Sequence, residues 1–252
     1  MGLRITSTRS SGVNNIKILI YGKAGVGKTT LASTIGEPAL IISAEAGLLS
    51  LSGHDIDVVD ISVDDRGESL PKEKRIDRLG EVYKFLLTEE ARAKYKWIFV
   101  DSITEISQNM VEKLQQEFPD SKDTLRLYGE NSKRMRSLIK TFRDLPYYSV
   151  VFTALLEDEK DENGRRIAGV SMVGKIADQI AGFLDIVCLM TMVKNENGEF
   201  ERKLITEPAE TFVAKDRSGR LEKLEEPNLG LIAKKIRSQK TNIKEGVKNA
   251  KH

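Results

Sequence analysis

Residues 22–29 read Gly22-Lys23-Ala24-Gly25-Val26-Gly27-Lys28-Thr29, which satisfies the spacing G-x-x-x-x-G-K-[ST]. No other segment restricts the chain so tightly. Before it lies Ile16-Lys17-Ile18-Leu19-Ile20-Tyr21, β-branched and aromatic enough to read as a strand, and from about Lys28 to Ile35 the pattern reads as a helix. Glycines let the backbone curl until successive N–H groups converge, and the start of the helix adds its positive end, so a turn in this setting holds phosphate. Lys28 then serves the β- and γ-phosphates of a nucleotide and Thr29 a Mg2+ ion. Gly22, Lys23, Ala24, Gly25, Val26, Gly27, Lys28, Thr29 and Thr30 form the candidate binding segment, with ATP and Mg2+ as the expected ligands.

The remaining pattern predicts an α/β protein with a mainly parallel sheet flanked by helices. A second strand, Ala39 to Ser43, follows the break Gly36-Glu37-Pro38, and strand, helix, strand order implies parallel pairing. Leu70 to Leu87 carries Ile76, Leu79, Tyr83 and Leu86 at helical spacing. Trp97-Ile98-Phe99-Val100 is a continuous apolar run, as in a strand covered on both faces, and Ile103 to Phe118 reads as a helix stopped by Pro119. A polar stretch from Asp120 to Gly129 precedes a helix around Met135 to Phe142 and a strand from Ser149 to Thr153. Beyond it, Asp161-Glu162-Asn163-Gly164 and Asn195-Glu196-Asn197-Gly198 are hairpin signals, and Phe200 to Thr206 and Thr211 to Lys215 read as short strands, so the sheet should end in antiparallel strands. The expected organisation is a flexible arm over 1–14, one domain over 15–233 and a basic tail over 234–252.

Two carboxylates fall where such a sheet places its ligands. Asp101, directly after the apolar strand, suits the Walker-B role of holding Mg2+, although an acid before Ile103 could equally cap a helix. Glu45, just past the second strand, could polarise a water molecule or be a solvated loop residue, and position alone does not separate these. Charge narrows the field: 40 Lys+Arg against 38 Asp+Glu leave +2, so there is no global field for nucleic acid or a membrane, and any basic site is local. Cys188, the single cysteine, fits a reducing, cytoplasmic setting, and no stretch is apolar enough for a membrane span.

Four segments together resemble the RecA-like P-loop ATPases, and in particular the phage-encoded recombination ATPases associated with single-strand annealing: Gly22 to Thr29, Ala44-Glu45, Phe99-Val100-Asp101-Ser102, and Ala214-Lys215-Asp216-Arg217-Ser218-Gly219. The resemblance implies a RecA-like fold over most of the chain, ATP hydrolysis, and Glu45 as the catalytic glutamate. It also implies that Lys215 and Arg217 enter the nucleotide site of a neighbouring subunit. Their spacing puts both on one face of a strand; without the resemblance they read as two solvated cations. A finger supplied in trans raises turnover by about 10³ to 10⁵. The polar γ-phosphate sensor of such ATPases has only Thr153 as a candidate, since Ala154-Leu155-Leu156 follows.

The resemblance further implies that the protein assembles with itself in a ring or filament, meets single-stranded DNA and a single-strand-binding protein, and works in the cytoplasm of a bacterium or phage host, with no membrane partner. DNA is expected at Ser121 to Arg136, where Arg126, Tyr128, Lys133, Arg134 and Arg136 mix cations with an aromatic, and less at the acidic stretch Glu157 to Lys175. A ParA- or MinD-like partitioning ATPase is the alternative, since Lys23 stands at its signature-lysine position; Ala24 and Ala44-Glu45-Ala46-Gly47 depart from that pattern. A small-molecule kinase lacks an arginine-rich lid here, and a binding module without catalysis is the non-enzyme reading.

Overall fold

The computed structural model describes residues 15–45, 47–119, 124–160, 166–173 and 176–238. Strands β1 (Lys17–Gly22), β2 (Ala39–Ser43), β3 (Asp57–Asp60), β4 (Trp97–Asp101), β5 (Ser149–Lys160), β6 (Arg166–Val170), β7 (Ile186–Lys194), β8 (Phe200–Ile205), β9 (Lys215–Asp216) and β10 (Leu224–Glu225) form one sheet. Its order is β10-β8-β7-β1-β5-β4-β2-β3, with β6 on β5 and β9 on β7. The block from β7 to β3 is parallel, and β6, β8, β9 and β10 are antiparallel to their neighbours, as the sequence pattern implies.

Side chains alternate along each central strand, so each face has its own core. Leu19, Tyr21, Ile98, Val100, Val150 and Phe152 face α1 (Lys72–Leu86), α3 (Ile103–Glu117), α4 (Thr124–Arg143) and α5 (Ala177–Phe183), with the short α2 (Glu89–Lys94) at the edge. Ile18, Ile20, Trp97, Phe99 and Val151 face the 3-10 helix Thr29–Thr34 and α6 (Leu229–Arg237). Helix starts are fixed locally: Ser102, Thr88 and Asn228 accept backbone N–H bonds from Glu105, Ala91 and Leu231.

Several expectations need correction. Helix α4 begins at Thr124, so Arg126 to Arg136 lie on a helix and not in a loop; 120–123 are outside the described residues. Its buried stripe runs Leu127, Asn131, Met135, Ile139, Phe142, and the polar Asn131 hid the period. The Asn131 Nδ2 donates to Ser107 Oγ at 3.1 Å and to the Val173 carbonyl at 2.9 Å, while its Oδ1 is buried with no hydrogen-bond partner among the described residues. The boundary at 233 falls inside α6, where Ile232, Ala233 and Ile236 are buried. Of Thr211 to Lys215, only Lys215 belongs to a strand; β3, β10, α2 and α5 have no counterpart in the sequence pattern, and α6 overlaps the start of the basic stretch that reads as a tail or a frayed helix. The acidic stretch includes the antiparallel pair β5–β6; residues 161–165, 1–14 and 239–252 lie outside the described residues. Among the described residues no helix is long and apolar enough to cross a membrane.

Candidate functional site

The phosphate loop leaves β1 where Gly22 lies level with Leu155 of β5 and Met190 of β7. A Cβ on Gly22 would sit 2.4 Å from the Met190 carbonyl oxygen, so the approach of β7 requires glycine there. Gly25 and Gly27 hold φ of +74° and +101°, a region L side chains rarely adopt. Lys23, Ala24 and Gly25 are exposed, Val26, Gly27, Thr29 and Thr30 are half-buried, and Lys28 is buried. The Lys28 ammonium donates to the carbonyls of Gly22 and Lys23, at 2.9 Å each, which ties the loop to its own lysine. Burial lowers its pKa from the ordinary value, against the pull of Asp101 and Glu45. The segment expected as an α-helix is a 3-10 helix from Thr29 to Thr34, with helical backbone angles already at Lys28.

Asp101 ends β4 beside this loop and is 5% exposed. Thr29 donates its hydroxyl to one carboxylate oxygen at 2.6 Å, and Thr153 of β5 donates to the other. The arrangement fits Mg2+: a hydroxyl and a carboxylate oxygen adjoin, both hard donors, and such an ion takes few protein ligands beside phosphate and water. Among the described residues no cluster of three or more His, Cys, Asp or Glu could hold a metal by itself. Thr153 is fully buried and its hydroxyl is bonded to Asp101, which orients the carboxylate.

Glu45 follows β2, whose Ser43 lies level with Asp101, and its side chain accepts a 2.5 Å bond from the Ser102 hydroxyl. Ser102 also caps α3, so one residue anchors the helix and aims the glutamate. The carboxyl edge of the sheet therefore carries, in order, Glu45, Asp101 with Ser102, Thr153, and the phosphate loop.

Lys215 and Arg217 lie elsewhere. Lys215 pairs with Val187, three residues back along β7 from Met190, or about 10 Å towards the opposite edge. Its ammonium caps α5 through the carbonyls of Ala181 and Leu184, both at 2.8 Å, and burial followed by the nearby Arg217 lowers its pKa. Arg217 meets Asp185 at 3.4 Å with its side chain 54% exposed. The two share one patch, as their spacing predicts, but not with the chain's own phosphate loop.

The proposed DNA cations are mostly engaged on α4. Arg134 binds Glu117 through two nitrogens, at 2.9 and 2.5 Å, Arg136 donates to Gln179, Lys133 pairs with Glu130 at 3.5 Å, and Arg126 lies over the Phe118 ring. Tyr128 is 41% exposed.

Sequence reasoning passed over three residues. Ser102 and the bridging role of Thr153 follow from strand order, which the motifs do not record. Arg202 of β8 reaches the phosphate loop: its Cδ and Nε are 3.7 and 3.6 Å from where a Gly27 Cβ would be. Only the β7–β8 register brings it there, and no motif marks it.

A family described as AAA domain matches residues 14–218. No curated protein matches the chain. Among solved structures, the chain is similar to one titled as a prototypical ATPase from the type III secretion system of pathogenic bacteria, at 18% identity and a TM-score of 0.44, with 70% of this chain and 52% of that chain covered. The chain thus spans about half the length of that relative. With more than half its length matched by the family, and Lys28, Thr29 and Asp101 gathered at one edge of a mainly parallel sheet, the chain belongs to the AAA domain family.

Proposed function

We propose that the protein is a self-assembling, RecA-like ATPase that acts on single-stranded DNA in phage recombination or annealing, each active site being completed by the next copy. The observation that carries assembly is the separation of Lys215 and Arg217 from their own phosphate loop. A phosphate they serve belongs to another chain. Arg217 is the readier of the two, because an exposed 3.4 Å ion pair contributes only about 0 to 1 kcal/mol and is easily given up.

Within one chain, the loop amides and Lys28 hold the β- and γ-phosphates, and Thr29 and Asp101 hold Mg2+, which when bound neutralises charge on the phosphoryl oxygens. Glu45, aimed by Ser102, orients and deprotonates the attacking water. Arg217 of the adjoining copy then faces the charge that develops on the γ-phosphoryl group. The DNA substrate rests on the resemblance, supported by the exposed Tyr128 in the second turn of α4 and the exposed Lys133 at its middle.

ATP turnover measured with and without single-stranded DNA, at low and high salt, tests this reading. Stimulation that fades as salt rises is expected, since phosphate contacts release counterions. Equal rates with and without DNA would favour a partitioning ATPase instead.

A further inference from the structure

The direction of a nucleotide over this edge follows from the groups already placed. The reacting end lies over β4 and β2, where Thr29, Asp101 and Glu45 stand. The nucleoside end must then leave the loop the other way, towards β7 and β8. There the sheet does not stop. From Met190, level with Gly22, β7 continues through Lys194, and β8 returns from Phe200, so a hairpin stands about 13 Å beyond the loop.

One face of that hairpin looks at the loop. Met190, Met192 and Lys194 share it with their cross-strand partners Leu204, Arg202 and Phe200. The Met190 Cε and the Arg202 side chain both approach the Gly27 Cβ position, at 3.5 and 3.6 Å, which fixes this as the loop side. The face also carries what a base needs. Met192 is 46% and Phe200 70% exposed, diagonal neighbours that leave apolar surface on this face open to solvent. Arg202 is exposed and has no hydrogen bond or ion pair among the described residues. The turn is built to hold this shape: Asn195 Oδ1 accepts from the N–H groups of Asn197 and Glu199, and Gly198 takes φ of +84°.

We propose that the β7–β8 hairpin is the nucleoside half of the ATP site: Arg202 contacts the α- and β-phosphates from within the same chain, and Phe200 and Met192 form the platform on which the adenine lies. A planar guanidinium matches phosphate oxygens by paired donors, and a thioether and an aromatic ring both favour a flat base. The occupant is the base of the chain's own nucleotide, because the face is continuous with the phosphate loop. This rests on the ATPase reading and adds to it the residues that distinguish a nucleotide from bare phosphate.

Calorimetric titration of the full chain with Mg-ATP, Mg-ADP and inorganic tripolyphosphate tests the proposal. Phe200→Ser is expected to weaken ATP and ADP by roughly fivefold to a hundredfold, the range of base stacking on an aromatic, and to leave tripolyphosphate unchanged. Arg202→Ala should weaken all three, with Arg202→Lys recovering part of the loss. Phe200→Ser that leaves ATP and ADP unaffected, or that weakens tripolyphosphate equally, overturns the proposal, as does a change confined to the assembled mass in sedimentation. Lys28→Ala keeps the two readings apart: a chain with that change that binds ATP normally would sink the phosphate loop itself, whereas the Phe200 result bears only on the hairpin.

Discussion

The Thr29 hydroxyl and the Asp101 carboxylate lie 72 positions apart in the chain and are joined by a hydrogen bond of 2.6 Å. The loop and the β4 end are therefore held in register, and the two oxygens that would share Mg2+ are adjacent. Asp101→Asn keeps the shape but removes the charge. Turnover should fall by at least about tenfold, as loss of a charged interaction of 1.5–3 kcal/mol implies, and the Mg2+ concentration for half-maximal activity should rise. A magnesium titration of steady-state ATPase checks this; an unshifted midpoint would remove Asp101 from the metal site.

Ser102 acts on Glu45 and not on substrate, so its loss should show in one kinetic constant. Ser102→Ala is expected to lower kcat about tenfold, the value of one hydrogen bond to a charged group, and to leave KM for ATP in place. Glu45→Gln should cost more while still binding ATP. A rise in KM with unchanged kcat in Ser102→Ala would show that the bond serves binding instead.

The contrast between Glu45 and Lys215 shows what a sequence can disclose about such a site. The phosphate loop, Asp101 and Glu45 are each marked by local pattern, because each closes a strand and strand ends of a parallel sheet share one edge. Which edge Lys215 and Arg217 occupy depends on β9 pairing with β7 in the antiparallel sense, and two residues of strand leave no periodicity to read. Arg202 is hidden because its strand is legible but the β7–β8 register that brings it to the loop is not. Helix α4 escaped in part because its inward stripe carries Asn131, whose burial is made possible by Ser107 and Val173, residues brought in by other elements.

Arg217→Ala should retain ATP binding and lose turnover, by about 10³ or more if the side chain serves as a finger. Mixing it with Lys28→Ala gives a sharper readout, since each copy lacks what the other supplies. Recovery of activity in the mixture is the expected result. An Arg217→Ala chain as active per subunit as the wild type would end the trans arrangement.

Lys17 offers a test in pH. Its buried ammonium donates to the carbonyls of Leu145 and Tyr148, at 2.9 and 2.6 Å, yet desolvation brings its pKa from 10.5 down to about 8. Between those values the unfolded chain holds more protons than the folded one, so this group adds stability as pH rises from about 8 to 10.5 and withdraws it as pH falls. Its slope can approach about 1.4 kcal/mol per pH unit. Urea unfolding of wild type and Lys17→Met across that window should differ in slope, with the variant flatter; parallel curves would show that Lys17 keeps its ordinary pKa.

The last test concerns where the folded unit ends. Helix α6 passes position 233 and buries Ile236, 2% exposed, against the face that carries Ile18, Trp97 and Phe99. One residue further, Arg237 binds Glu37 at 2.7 Å and lies over the Trp97 ring, while Glu37 also accepts the indole N–H at 2.6 Å. A chain ending at 233 loses the packing and the ion pair together and leaves that acid without its cation. Ile236→Ala alone should cost about 2–5 kcal/mol, and a chain ending at 233 more than that relative to one ending at 238. For a chain of this size each kcal/mol lowers Tm by about 2–4 °C, so thermal unfolding of the two truncations should separate clearly. Equal midpoints would mean that the end of α6 contributes nothing to the core it covers.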